Sequence, residues 1–269
     1  MMATAALITA FASTGSADPP PEPGQHFTVD PVSDGLIAGT GVGLSTLLGA
    51  ILATGEIRPS PPPVSASALL SIDRVAVTQT IDPNASTYSN IVLWAASGFA
   101  VLDTGLSGLR DGWDALLVDG LMYLESTSLT SAVTDMLKIA VRRPRPFDYA
   151  QPSATNTDAT LSFPSGHASG VASVAATATY LAFVRAPGTA RPWITLGVGT
   201  ALSAFVDVER VRAGAHFPTD VMAGTLLGAT LGVLVPHLHR HARETPPVWI
   251  GVAPLPDRHG GTVALQGWF

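Results

Sequence analysis

The chain has 269 residues, of which 46% are apolar and only 13% charged, with a net charge of −6 and no cysteine. Typical soluble domains carry about 25% charged residues, so most helices here must be buried, in a large core or in a bilayer. The acidic balance excludes a broad basic face for nucleic acid. The lack of cysteine excludes disulfides, thiolate metal centres and cysteine nucleophiles together.

Residues 1–17 are small and apolar, with no charge before Asp18. Ala10-Phe11-Ala12 and Gly15-Ser16-Ala17 have the small-x-small form of cleavage sites, so 1–17 reads as a signal peptide lacking the usual basic start. A proline-rich linker, 18–34, follows. Gly35 to Gly55 runs 21 residues without a charge, which matches the roughly 20 apolar residues that span a bilayer. Pro59, Pro61, Pro62 and Pro63 break the chain after it.

Ile91 to Leu109 is apolar around Asp103, and Trp113 to Met136 is amphipathic and leads into Lys138. Residues 142–158 form a loop held by Pro144, Pro146 and Pro152. Pro164 opens the next helix, to about Val184, because proline suits the first helical position. Trp193 to Phe205 is another, and Pro218 opens the last, Thr219 to Val235, which Pro236 stops. The fold class is therefore all-α, a bundle of about six helices over 35–240. In the extension 241–269, Val248 to Ala253 and Thr262 to Phe269 alternate like strands about a Pro/Gly turn, which predicts a C-terminal β-hairpin.

Three loops carry the chemistry. They hold Lys138 and Arg145-Pro146, then Pro164-Ser165-Gly166-His167, then Arg210, His216 and Asp220. His216 and Asp220, four residues apart at a helix entrance, share a face. A carboxylate accepting the Nδ1 proton leaves the Nε2 lone pair for attack. Ser165 and Gly166 sit at a helix start, where free backbone N–H groups favour an anion. His167 there is placed to act as general acid. Lys138, Arg145 and Arg210 supply fixed positive charge, with arginine suited to forked bonding of phosphate. Taken singly, each segment is a capped helix start, a structural histidine or a solvated basic loop. Together they make a phosphate cradle with a nucleophile.

Alternating helices would put the three loops on one side of a membrane. Arg110, Arg185, Arg191, Arg240 and Arg243 would then lie on the other, which positive-inside logic makes cytoplasmic.

The pattern Lys-x6-Arg-Pro, Pro-Ser-Gly-His and Arg-x5-His-x3-Asp resembles the type 2 phosphatidic acid phosphatases (PAP2). That superfamily includes bacterial acid phosphatases and vanadium haloperoxidases, and the resemblance covers about 114–236. It implies that Lys138, Arg145 and Arg210 bind phosphate with Ser165 and Gly166, that His167 is the acid, that His216 becomes phosphohistidine and that Asp220 orients it. It also implies hydrolysis without a metal or other cofactor, vanadate being able to enter as a phosphate analogue. The chain departs from the pattern at Glu209, where serine is usual, and Ala168 follows His167. A carboxylate aimed at phosphate would oppose binding, so Glu209 is expected to point elsewhere, paired with Arg142, Arg143 or Arg212.

The leading reading is a cell-envelope phosphatase of phosphate mono- or diphosphate esters, lipid-linked and membrane-associated. The alternatives are a soluble periplasmic acid phosphatase, a vanadate-dependent haloperoxidase and a non-catalytic phosphate binder.

Overall fold

The computed structural model describes residues 26–30, 32–60, 66–150 and 161–240, with two further segments, 249–254 and 261–266. The expected signal peptide, most of the proline-rich linker and the second half of the 142–158 loop lie outside the described residues.

Six long helices form the body: α1 (Ser33–Ala53), α3 (Ala85–Asp111), α4 (Trp113–Val141), α6 (Gly166–Arg185), α7 (Arg191–Arg212) and α8 (Pro218–Leu238). Two short helices, α2 (Val75–Thr78) and α5 (Pro146–Ala150), and a single 3₁₀ turn (Ala66–Ala68) were not foreseen. Such short pieces lack the repeat that makes longer helices readable. Gly112, with φ of +91°, makes the one-residue corner between α3 and α4, a conformation that side chains with a Cβ rarely adopt.

The expected C-terminal hairpin is not supported as part of this fold. Among the described residues, the segments β1 (Trp249–Pro254) and β2 (Gly261–Gln266) pair only with each other, and neither shares an extended packing contact with a helix.

The body exposes large apolar side chains and buries many polar groups beside an apolar core around Met122, Val171, Leu181 and Val206. Trp94 is 75% exposed and Leu109 85%, while Asp103, Asp119, Glu125, Ser126, Thr130, Thr134, Ser169, Ser173 and Thr177 are buried. Helix-to-helix contact runs through small residues and hydroxyls, as where lipid leaves no hydrophobic drive between helices. Thr130 donates to Ser173 (3.2 Å), and the Thr134 and Ser169 hydroxyls are 3.0 Å apart. Four helices, α1, α3, α6 and α8, are long and apolar enough to cross a membrane.

α6 and α8 lie closest. A Cβ on Gly224, Gly228 or Gly232 would stand 2.5, 2.0 or 2.5 Å from the backbone oxygens of Ser165, Ser169 and Ser173 respectively. Both series ascend together, so the two helices run parallel and bring their N-termini to the same end of the bundle. That end also receives the C-termini of α4 and α7 and the N-terminus of α3.

Several helix boundaries differ from expectation: α3 starts earlier, at Ala85, and α4 and α7 run on to Val141 and Arg212, which puts Lys138 and Arg210 on helices rather than in loops. α6 starts at Gly166 with Ser165 as its N-cap, so Pro164 precedes the helix rather than opening it. α8 continues through Pro236 to Leu238. Proline there removes the N–H that would bond the Gly232 carbonyl, and the Thr177 hydroxyl of α6 donates to that carbonyl instead (3.2 Å).

Candidate active site

Every catalytic and phosphate-binding candidate named from the sequence falls at the end where α6 and α8 begin. The 213–217 turn between α7 and α8 holds His216, 2% exposed. Its Nδ1 lies 2.7 Å from the Ser162 carbonyl oxygen. A carbonyl only accepts, so Nδ1 carries the hydrogen and Nε2 keeps its lone pair. Burial, then the charges of Arg145 and Arg210, with a smaller part from Lys138, hold the ring well below its ordinary pKa, against a raising bond to Ser162. His216 is therefore neutral, as a nucleophile must be, and the three cations converge on it.

Asp220 lies beside His216, as expected, but makes no hydrogen bond to its ring. Its Oδ2 stands 3.9 Å from His216 Nδ1, beyond hydrogen-bond reach. The orienting acceptor is the Ser162 carbonyl. Asp220 instead accepts the Phe217 N–H (2.8 Å) and pairs with Arg143, and its backbone carbonyl accepts the Ser165 N–H (3.1 Å). It thereby ties the His216 turn to the start of α6, acting on the imidazole through its neighbours.

Arg210, 6% exposed near the end of α7, reaches Ser89 Oγ only at 3.4 Å, and its Nε has no hydrogen-bond partner among the described residues. A buried guanidinium N–H left this way is costly and marks where an acceptor belongs. Lys138 approaches from α4 and touches Asp135 at 3.3 Å. A Cβ on Gly166 would lie 3.7 Å from the Lys138 ammonium, so the glycine keeps open the space between that ammonium and the α6 N-terminus. Arg145 donates from Nε to the Leu161 carbonyl (3.3 Å), beside the short bridge of Pro144 with Leu161. The Ser165 hydroxyl caps α6 by accepting from Ala168 N (3.4 Å). His167, half-buried, holds Nε2 at 2.6 Å from Asn90 Oδ1.

Glu209 turns away from the cradle. Its Oε1 pairs with Arg212 (2.7 Å), which also meets Asp82. Of the three expected partners, Arg212 is the one observed.

Ser162, whose carbonyl meets the His216 ring, was missed, and so were four supporting residues. Asp73, fully buried, accepts from Thr219 N (3.0 Å), Thr219 Oγ1 (2.8 Å) and Arg143 Nη2 (2.8 Å). Arg143 stacks on the Phe217 ring, 3.9 Å from its centroid. Ser89 and Asn90 come from α3. None lies in a motif, and Asp73 and Asn90 come from parts of the chain that no spacing relates to the three loops. Arg143 alone had a signal, its place in the basic run before Arg145.

Residues 119–244 match the family model of the PAP2 superfamily. Over that segment, just under half of its length, the chain is similar to that superfamily. Over 104 residues it is 38% identical to decaprenylphosphoryl-5-phosphoribose phosphatase of Mycobacterium tuberculosis, covering 39% of this chain and 52% of that one. It is 32% identical over 139 residues to phosphatidylglycerophosphatase B of Bacillus subtilis, covering 50% and 63%. The match thus spans between about half and two thirds of the length of these curated relatives. A solved transmembrane PAP2 type phosphatidylglycerolphosphate phosphatase from Bacillus subtilis aligns at 23% identity over 77% of this chain and 94% of its own, with a TM-score of 0.46, a superposition too loose to carry any assignment.

Proposed function

We propose that this protein is a phosphoric ester hydrolase that cleaves phosphate mono- or diphosphate esters carried on a lipid, through a phosphohistidine at His216 and without a metal. The observation that carries it is the neutral, buried His216 with its Nε2 lone pair free for attack and the charges of Arg145, Arg210 and Lys138 converging on it. The unpartnered Arg210 Nε–H supports an anionic ligand at the same place.

Nε2 of His216 attacks phosphorus while the ester P–O bond breaks. His167, entering as the imidazolium that a bound phosphate dianion favours, gives its Nε2 proton to the departing oxygen, which takes the place of Asn90 Oδ1 as acceptor, and is left as neutral imidazole. Lys138, Arg145 and Arg210, with the N-terminal amides of α6 behind Ser165 and Gly166, hold the charge on the remaining oxygens. Preorganised charge of this kind is commonly the largest catalytic term. Water then attacks phosphorus, His167 takes its proton, and the N–P bond breaks to release phosphate and restore neutral His216.

A lipid-linked substrate is favoured by the four membrane-length helices and the apolar exterior. The two curated relatives bear names of lipid-phosphate phosphatases. The helical body lies in a membrane of the cell envelope in this reading, with the site on the periplasmic or outer face and the arginine-bearing loops inside. Residues 1–17 are the signal peptide, 35–240 the catalytic domain and 241–269 an extension.

Phosphate release from phosphatidate in mixed micelles, and from p-nitrophenyl phosphate, with chelator present, tests the reading. Release by the wild type and none by His216→Ala is expected, with phosphatidate preferred. Preference for the soluble ester would favour the acid-phosphatase alternative. No release by folded protein from either substrate would overturn the proposal.

A further inference from the structure

The other end of the bundle holds a second buried polar cluster that the hydrolytic reading does not use. Glu125 lies on α4, thirteen residues before Lys138, which is about 20 Å along a helix axis. It is 1% exposed, and its Oε1 has no hydrogen-bond partner among the described residues. Its Oε2 faces His239 Nε2 at 3.6 Å, too far for a hydrogen bond. Asp34, from the first turn of α1, brings Oδ1 to 3.2 Å from the same nitrogen.

The His239 ring is held from behind. Its Nδ1 lies 2.8 Å from the Val235 carbonyl, so Nδ1 carries hydrogen and Nε2 directs its remaining position at the two carboxylates. Asp34 is held likewise, its Oδ2 accepting the Asp30 N–H at 2.7 Å. Backing bonds of this sort fix the tautomer and aim of metal-binding side chains.

In the neutral ring, one nitrogen lone pair and two carboxylates face each other, with their ligand atoms all within 4.8 Å. A proton on Nε2 would serve Asp34 at 3.2 Å but leave the buried Glu125 unsatisfied. A cation serves all three. Ligand atoms around tetrahedral zinc, at about 2.0–2.1 Å from the metal, stand about 3.3 Å apart, against the 3.2 and 3.6 Å here. One imidazole with two carboxylates suits a first-row divalent ion, and the imidazole favours zinc over magnesium or calcium.

We propose that Asp34, Glu125 and His239 form a binding site for one zinc-class divalent cation, structural in role, at the bundle end opposite the candidate active site. The ligands come from α1, from α4 and from the residue after α8. The cation would clamp α1, which with α3 is the least buried of the four membrane-length helices, onto the rest.

The test is calorimetric titration of the full chain, purified in detergent and freed of metal by chelator, with zinc ion. The Glu125→Gln and Asp34→Asn variants run beside it. The wild type should take up one equivalent, and each variant should bind at least tenfold more weakly. Cobalt ion should give visible d–d bands in the wild type that Glu125→Gln loses. Zinc should raise the Tm of the wild type and leave that of the variants unmoved. Asp34→Asn, at a helix end, keeps the test decisive should Glu125→Gln not fold. No stoichiometric uptake by the folded wild type, or full affinity retained in both variants, would overturn the site.

Discussion

The two ends of this bundle are built from the same materials and left with opposite deficits. At the α6/α8 entrance a buried cation, Arg210, has an N–H without an acceptor among the described residues. At the far end a buried carboxyl, Glu125, has an oxygen without a donor among the same residues. Other charges at the far end are paired: Arg185 with Asp119 (2.6 Å), whose second oxygen has no partner among the described residues, and Arg191 with Asp103 (2.8 Å), which also accepts from Tyr123 (2.9 Å). A closed pair holds helices together, whereas an open group states the sign of what it lacks. Arg210 calls for an anion and Glu125 for a cation.

Removing the nucleophile would test the entrance most severely. His216→Ala should lower kcat toward the order of 10⁶-fold, as nucleophile deletions do elsewhere. Residual turnover within tenfold of wild type would break the reading. Next is Arg210→Gln, which should cost about 10²–10³ in kcat/KM, with Arg210→Lys restoring little because the fork is lost.

Asp220→Asn should cost only about tenfold, about 1.4 kcal/mol of barrier, because the Ser162 carbonyl and not Asp220 orients His216. A loss as large as that of His216→Ala would show that Asp220 moves to bond the ring during turnover. The packing that joins α6 to α8 can be probed with Gly228→Ala. A Cβ 2.0 Å from the Ser169 carbonyl should cost about 1–3 kcal/mol, read as a lowered Tm in detergent.

The smallest effect concerns pH. His216 must be neutral to attack, and burial with three nearby cations lowers its pKa well below 6.5. The neutral form therefore persists as pH falls through 6.5. The kcat/KM profile, corrected for ionisation of the substrate, should show no loss centred there. A limb at about 6.5 would mean that the ring is not held as described.

Much of the site was legible before the fold. Lys138, Arg145, Ser165, Gly166, His167, Arg210, His216 and Asp220 sit in compact segments whose spacing carries chemistry, and all of them meet at one end. The six long helices were legible for a similar reason, since uncharged runs and prolines mark them directly. The supporting residues were not. Asp73, Ser89 and Asn90 matter only because α3 and the segment before it fold across the entrance, and Glu125 reads as one acid on an amphipathic helix until His239 is brought beside it. The stop expected at Pro236 failed because sequence cannot show that Thr177 supplies the missing bond.

By itself, the sequence determined the reaction inventory, the helix count and the sign of the charge gathered in three loops, because these are written in residue type and local spacing. Only the tertiary structure decided that Ser162 rather than Asp220 orients His216, that Glu209 faces Arg212, and that Asp34, Glu125 and His239 converge. Those outcomes turn on a few tenths of an ångström between elements far apart in the chain. The glycine contacts of α6 with α8 and the hydroxyl bonds of α6 with α4 set those distances, and no local pattern encodes them.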